Sequence, residues 1–256
     1  WGWSSVLTLG PLAAAVVPFV AFIMVERRAD QPMLELDLLH DRVFATTNGA
    51  ALAVSVAFFA VTTLTAVYLQ IVQGHSARNA GLMLLMQPAF MVGLSSWCGR
   101  LSDRVGSRPL TVVGGVIIAA GIGQLAFAGT STGRVLLALG TVGLGLAVFN
   151  SPNMSAVLGS VPRARLSLAA GFMSTMRFSG QGVSIAILGS IAAWPLGSEG
   201  ARIIFLGESA GAASAQAFST GYRSAMLVGA AFALAAAALS WASRPSEREL
   251  PDFSVL

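Results

Sequence analysis

The chain has 256 residues, of which 55% are hydrophobic and 10% charged, and its formal net charge is +4. A soluble domain carries about 25% charged residues, so this composition, with a mean hydropathy of +0.75, excludes a soluble globular protein and points to an integral membrane protein. All fifteen basic residues are arginine and all eleven acids lie outside the apolar runs, so the basic balance bears on membrane orientation, not on nucleic acid.

A membrane-crossing helix needs roughly 20 predominantly apolar residues. Seven segments meet that length: 4–25, 44–70, 79–98, 110–129, 134–158, 167–193 and 219–242. The expected fold class is therefore all-α, a polytopic protein of seven transmembrane helices with the lipid bilayer as partner. Trp1 and Trp3, Trp97, Trp194 and Trp241 mark span ends, where amphipathic rings settle at the membrane–water interface. The chain starts at Trp1 without a signal-peptide layout and reads as a fragment.

In chain order, the first span leads into loop 26–43, with Arg27, Arg28 and Arg42. Arginines then recur at every second connection: Arg100, Arg104 and Arg108 in loop 99–109, Arg163 and Arg165 in loop 159–166, and Arg244 and Arg248 in the tail. The other side carries only Arg78, Arg134, Arg202 and Arg223. The positive-inside rule makes the arginine-rich side, and with it the C-terminus, cytoplasmic. Segment 195–218 is the longest loop on the opposite side. Cys98 is the only cysteine, so no intrachain disulfide forms. His40 and His75 are isolated loop residues without metal-ligand spacing. No metal, cofactor or enzyme activity is expected.

Loop 99–109 holds the most informative motif: Gly99-Arg100-Leu101-Ser102-Asp103-Arg104-Val105-Gly106-Ser107-Arg108-Pro109. Charge and irregular backbone do not belong in hydrocarbon, so this reads as a tight surface turn between two spans. Gly99 and Gly106 are expected to permit turning and close approach. Asp103 should sit near the start of the next helix, and Arg104 and Arg108 should pair with acids or helix C-termini. The ordered set closely resembles the loop motif of the major facilitator superfamily, which implies a conformational latch made by Gly99, Leu101, Asp103, Arg104, Gly106 and Arg108. Ser107 stands where a basic residue is common in that family.

Further stretches resemble the family's 14-helix drug:proton antiporter group. Glu26-Arg27-Arg28 through Pro32-Met33-Leu34-Glu35-Leu36-Asp37-Leu38-Leu39 is similar to the linker into its C-terminal half. Tyr68-Leu69-Gln70, Gly74-His75-Ser76, Ala80-Gly81-Leu82, and Gly143-Leu144-Gly145-Leu146 before Pro152 fit that half. The resemblance implies three units: residues 1–43, an extra helix and cytoplasmic linker; 44–243, a six-helix C-terminal half; and 244–256, a cytoplasmic tail. It also implies a plasma (inner) membrane location, and a missing N-terminal half that carries the family's antiporter motif. The expected function is proton-coupled efflux of drugs or other hydrophobic or cationic small molecules, driven by the proton gradient. An uptake carrier of the same superfamily is the near alternative; a seven-helix receptor or a non-transporting partner lies further off.

Within the spans, Arg177 is the one charge far from either end. Burying it costs at least ~2.5–3.5 kcal/mol, so it should face protein or a water-filled cavity. Gln181, Asn150, Asn48 and Gln87 complete the candidate cavity or coupling set, with Gln124 and Asn153 as further polar groups. Each also reads as a helix–helix contact worth about 0.6–2 kcal/mol. Met83, Met86 and Met91 offer adaptable thioether surface for varied substrates.

Overall fold

The computed structural model describes Met24, residues 40–199 and residues 212–243. The expected first span, its linker and the charged tail lie outside these. Helix α1 (Arg42–Ile71) starts at Asp41, whose carboxylate accepts from the amides of Val43 (2.8 Å) and Phe44 (2.9 Å), satisfying two otherwise orphaned donors. In the apolar run that follows, Thr47 and Ser55 hydroxyls donate to carbonyls four residues back, which removes the cost of carrying them into hydrocarbon.

Helix α2 (Ala77–Leu84) is capped by Ser76 and runs through Leu85 into α3 (Met86–Val105). The break falls where Pro88 has no amide hydrogen for the carbonyl of Leu84. Helix α4 (Ser107–Ala126) follows, then a turn containing Gly129 and helix α5 (Thr132–Gly159) with Pro152 inside. After a single turn at Arg163–Arg165, α6 (Leu166–Ser184) continues through a π turn (Ile185–Gly189) into α7 (Ser190–Ala193). Helix α8 (Ala212–Ala242) closes the described chain.

No strand occurs among the described residues. By length and composition Arg42–Ile71, Ala77–Val105, Ser107–Ala126, Thr132–Gly159 and Ala213–Ala242 can each cross a membrane. The unbroken helical path from Leu166 to Ala193 makes a sixth rod of comparable reach, about 42 Å at 1.5 Å per residue. The protein is thus all-α and polytopic.

Two spans are longer than hydropathy suggests. Helix α3 runs on to Val105, leaving Gly106 alone between it and α4. Gly99, Leu101, Asp103 and Arg104 are therefore helical, and Asp103 lies in the last turn of α3 instead of opening the next helix. The expected loop 99–109 shrinks to one residue at φ +91°, ψ 156°, a conformation that glycine adopts without penalty. The second case is α8, which begins at Ala212 inside the stretch expected as loop. Hydropathy marks where a helix leaves lipid, not where it stops being a helix.

Helices α1, α8, α4 and α5 form a ring around the main core; α3 leans on α5, and α6 on α1. Ile118, Ile122, Leu139, Val142, Leu64 and Met226 fill that core. Helices α4 and α5 make the most extensive pair. A Cβ on Gly145 would lie 2.7 Å from the Ile118 amide nitrogen, and one on Gly114 2.8 Å from that of Phe149. Small residues permit this backbone approach, which in lipid supplies association through dispersion contact. Helix α3 is the least covered of the crossing helices. Trp97, Trp194 and Trp241 are all exposed, in keeping with interfacial anchoring.

Candidate functional site

At the arginine-rich end, the motif residues join four helices, α3, α4, α5 and α8. A Cβ on Gly99 would sit 3.2 Å from Oγ of Ser151 in α5, so this glycine serves helix approach rather than turning. Leu101 packs on a buried cluster of Cys98, Leu110, Ala147 and Val148. Arg108, in the first turn of α4, donates from Nε to the Trp241 carbonyl at 3.1 Å and from Nη2 to the same oxygen. Its guanidinium also lies 4.9 Å from the Trp241 ring centroid. That carbonyl belongs to the last turn of α8, where no intrahelical donor remains. A cation on this negative end is favourable twice over, as hydrogen-bond donor and as dipole partner. Asp103 and Arg104 are exposed and make no ion pair among the described residues.

The second constellation lies within the membrane. Arg177 on α6 donates from Nη2 to Oδ1 of Asn150 on α5 at 2.7 Å. The Asn150 Nδ2 in turn lies 3.8 Å from the Met91 sulfur on α3. Arg177 is half-buried. It is twelfth in α6, about 17 Å from the arginine-rich end. A hydrogen bond to a charged group contributes about 1.5–3 kcal/mol, of the same order as the insertion cost of the arginine. The pair sits at the seam where α3, α5 and α6 meet. Gln181, half-buried, is one turn further along the Arg177 face.

The structure disperses the other candidates. Asn48 is 1% exposed and donates to the Phe44 carbonyl of its own helix at 2.9 Å, with Oδ1 unpartnered. Gln87 is buried with its Nε2 unpartnered. Asn153 is fully buried, and neither amide atom has a partner. Phe44 and Val157 share one buried cluster; Asn48 and Asn153 each lie one turn further into the membrane from them, so both amides sit at one level between α1 and α5. Gln124 is exposed at the opposite end. Met83 and Met86 pack against the main core. Among the described residues no group of three or more His, Cys, Asp or Glu could hold a metal.

Sequence reasoning missed a clasp at the arginine-poor end. The chain's two tyrosines meet there: Tyr68 on α1 stacks on Tyr222 of α8, with centroids 4.4 Å apart and planes at 20°. The Tyr222 hydroxyl and Thr65 Oγ1 lie 2.9 Å apart in a buried contact. Tyr68 donates to the Gly129 carbonyl at 2.9 Å, as does Gln73 Nε2 at 3.1 Å. His75 Nε2 reaches Thr132 Oγ1 at 3.2 Å. Together these tie α1 and α8 to the turn between α4 and α5. The available signal was that both tyrosines fall near span ends on that side.

The family model described as Major Facilitator Superfamily matches residues 1–185. The multidrug resistance protein Stp of Mycobacterium tuberculosis is 34% identical over 195 residues, 75% of this chain and 36% of that protein. The tetracenomycin C resistance and export protein of Streptomyces glaucescens is 30% identical over 201 residues, 77% of this chain and 37% of its own. A tetracycline resistance determinant of Streptomyces rimosus is 28% identical over 196 residues, 75% of this chain and 56% of its own. The chain thus spans about a third of the length of the first two relatives.

Proposed function

Because the chain belongs to the major facilitator superfamily, we propose that residues 44–243 act as the C-terminal half of a proton-coupled exporter of hydrophobic or cationic small molecules. The resistance and export proteins it resembles support that substrate class. The observation that carries the reading is the Arg177–Asn150 pair. A neutral amide holds this arginine deep in the bundle, where α3, α5 and α6 meet. A central site worked by two rocking halves needs polar groups of this kind near the midplane.

In this reading the sparsely covered α3 and the exposed face of α6 meet the other half of the transporter. Among the described residues no acid lies within a span away from its ends, so the proton-binding carboxylate belongs to that other half, and Arg177 responds to its charge. Gly99, Leu101, Asp103, Arg104, Gly106 and Arg108 form the conformational latch on the cytoplasmic side of the plasma membrane, with the C-terminus on the same side. The contact of Arg108 with the end of α8 holds one arrangement, and its release accompanies rocking.

The test is energised accumulation of a cationic dye in inverted vesicles holding the full-length protein, compared with Arg177→Ala and Arg177→Lys. Proton-dependent transport that Arg177→Ala abolishes, with both variants folded, is the expected result. Normal transport by Arg177→Ala confines Arg177 to packing. Transport of the opposite sense in the parent protein rejects export.

A further inference from the structure

A groove lies between the arginine-poor ends of α4 and α5. It encloses about 370 Å³ and is lined by Gln124, Phe127, Arg134 and Leu137. Its rim is cationic. Arg134 stands near the start of α5, and Arg223 of α8 lies over the Phe127 ring, 4.5 Å from its centroid. Neither arginine pairs with a carboxylate among the described residues. The aromatic contact fixes one guanidinium beside the ring that also walls the groove, which places both charges around a single opening.

Below that rim the surface is apolar. Leu137 is 70% exposed and Phe127 55%. From Phe127 the outward stripe of α4 continues through Gln124, at the groove, and then Ala120, Val116 and Val113, spaced three or four residues apart and hence on one helix face. Two cations at the height of a span end, above an apolar track descending into hydrocarbon, match a phospholipid: phosphate between the guanidiniums, acyl chain along the track. A zwitterionic headgroup brings its own ammonium to its phosphate, so a pair of arginines with no carboxylate partner among the described residues favours a lipid with net negative charge.

We propose that this groove binds an anionic phospholipid from the leaflet at the arginine-poor end of the bundle. The site is separate from the Arg177 seam and from the motif at the other membrane surface. It depends on neither the direction of transport nor its coupling. By bridging α4, α5 and α8 at one end, the lipid tethers three members of the ring.

The experiment uses the purified full-length protein in detergent. Native mass spectrometry counts retained dioleoylphosphatidylglycerol against dioleoylphosphatidylcholine during titration. At about 1 kcal/mol for each arginine near a membrane surface, the apparent affinity for the anionic lipid should fall about fivefold in Arg134→Gln or Arg223→Gln and about thirtyfold in the double variant. Arg134→Lys should retain the preference, and Arg78→Gln, at the same end but outside the groove, should leave it unchanged. Leu137→Trp fills the groove with both charges in place and should also displace the lipid, which covers the case of a double variant that fails to fold. Equal binding of the two lipids by the parent protein overturns the proposal. So does parental affinity in both the double variant and Leu137→Trp, or an equal loss in Arg78→Gln.

Discussion

Two glycine-to-alanine changes on the paired helices α4 and α5 should shift stability in opposite directions. At Gly145 the new methyl would stand 2.7 Å from the Ile118 amide nitrogen and 3.0 Å from the Gly114 carbonyl oxygen, against 3.4–4 Å for ordinary contact. Both obstacles are backbone, so no side chain can rotate away. The helices must part by several tenths of an ångström along their closest seam, a forced overpacking that costs about 1–3 kcal/mol. At Gly123, on α4, a Cβ meets nothing within 4 Å. Alanine there keeps every contact and gains up to ~1 kcal/mol of helix propensity. Thermal unfolding of the full-length protein in one detergent, followed by loss of the monodisperse peak, reads both. The scale is ~2–4 °C per kcal/mol for a domain of ~150–250 residues and smaller for the longer full-length protein, so Gly145→Ala should lower the midpoint by about 1–5 °C and Gly123→Ala should hold or raise it. A Gly145→Ala variant as stable as the parent would falsify the account of α4–α5 packing.

Further tests reach the other contacts. Arg108→Gln removes the donor to the Trp241 carbonyl and should cost about 1 kcal/mol at the end of α8, with faster alkylation of a cysteine placed at Ser243; unchanged alkylation would separate the arginine from that helix end. Tyr222→Phe with Thr65→Val in a double-mutant cycle should give a coupling of about 0.6–1.7 kcal/mol, and strict additivity would deny the hydrogen bond. Asn153→Leu should be neutral or stabilising by thermal unfolding, because both buried amide atoms lack partners and a leucine of similar size avoids their desolvation. Asn150→Leu should instead be destabilising, since it strips the acceptor from Arg177, and equal behaviour of the two asparagines would contradict the pairing.

The crossing helices were legible because lipid imposes long apolar runs, and 44–70, 134–158 and 167–193 sit within a few residues of the observed bounds. The misplaced bounds, Val105 for α3 and Ala212 for α8, fall where the helix leaves hydrocarbon and composition stops reporting backbone state. Arg177 and Asn150 were each visible as polar residues out of place, but their meeting depends on α5 and α6 flanking one seam, which neither segment encodes alone. The contact between Thr65 and Tyr222 spans 157 positions and needs the α1–α8 neighbourhood before it can be read. Asn48 and Gln87 looked equivalent to Asn150 in sequence; only the direction each faces in the bundle tells them apart.

The π turn in α6 settles how that helix meets its neighbours. Residues four apart on an ordinary α-helix drift by about 40° per step, so a stripe begun at Gly180 would have swung about 120° aside by Ala192. Yet Gly180, Ser184, Leu188 and Ala192 are all buried. The wider turn at Ile185–Gly189 unwinds the path and returns much of that rotation. Gly180 and Ser184 therefore meet the backbone of α1 near Leu52 and Val56, while Ala192 still reaches Gly221 on α8. The helix offers a straight rail on one side where a regular one would offer a spiral. Removing a single residue from that turn would restore a regular α-helix with Ala192 only about 20° from the Gly180 face, so the π turn takes up one extra residue without turning Leu188 and Ala192 out of the bundle.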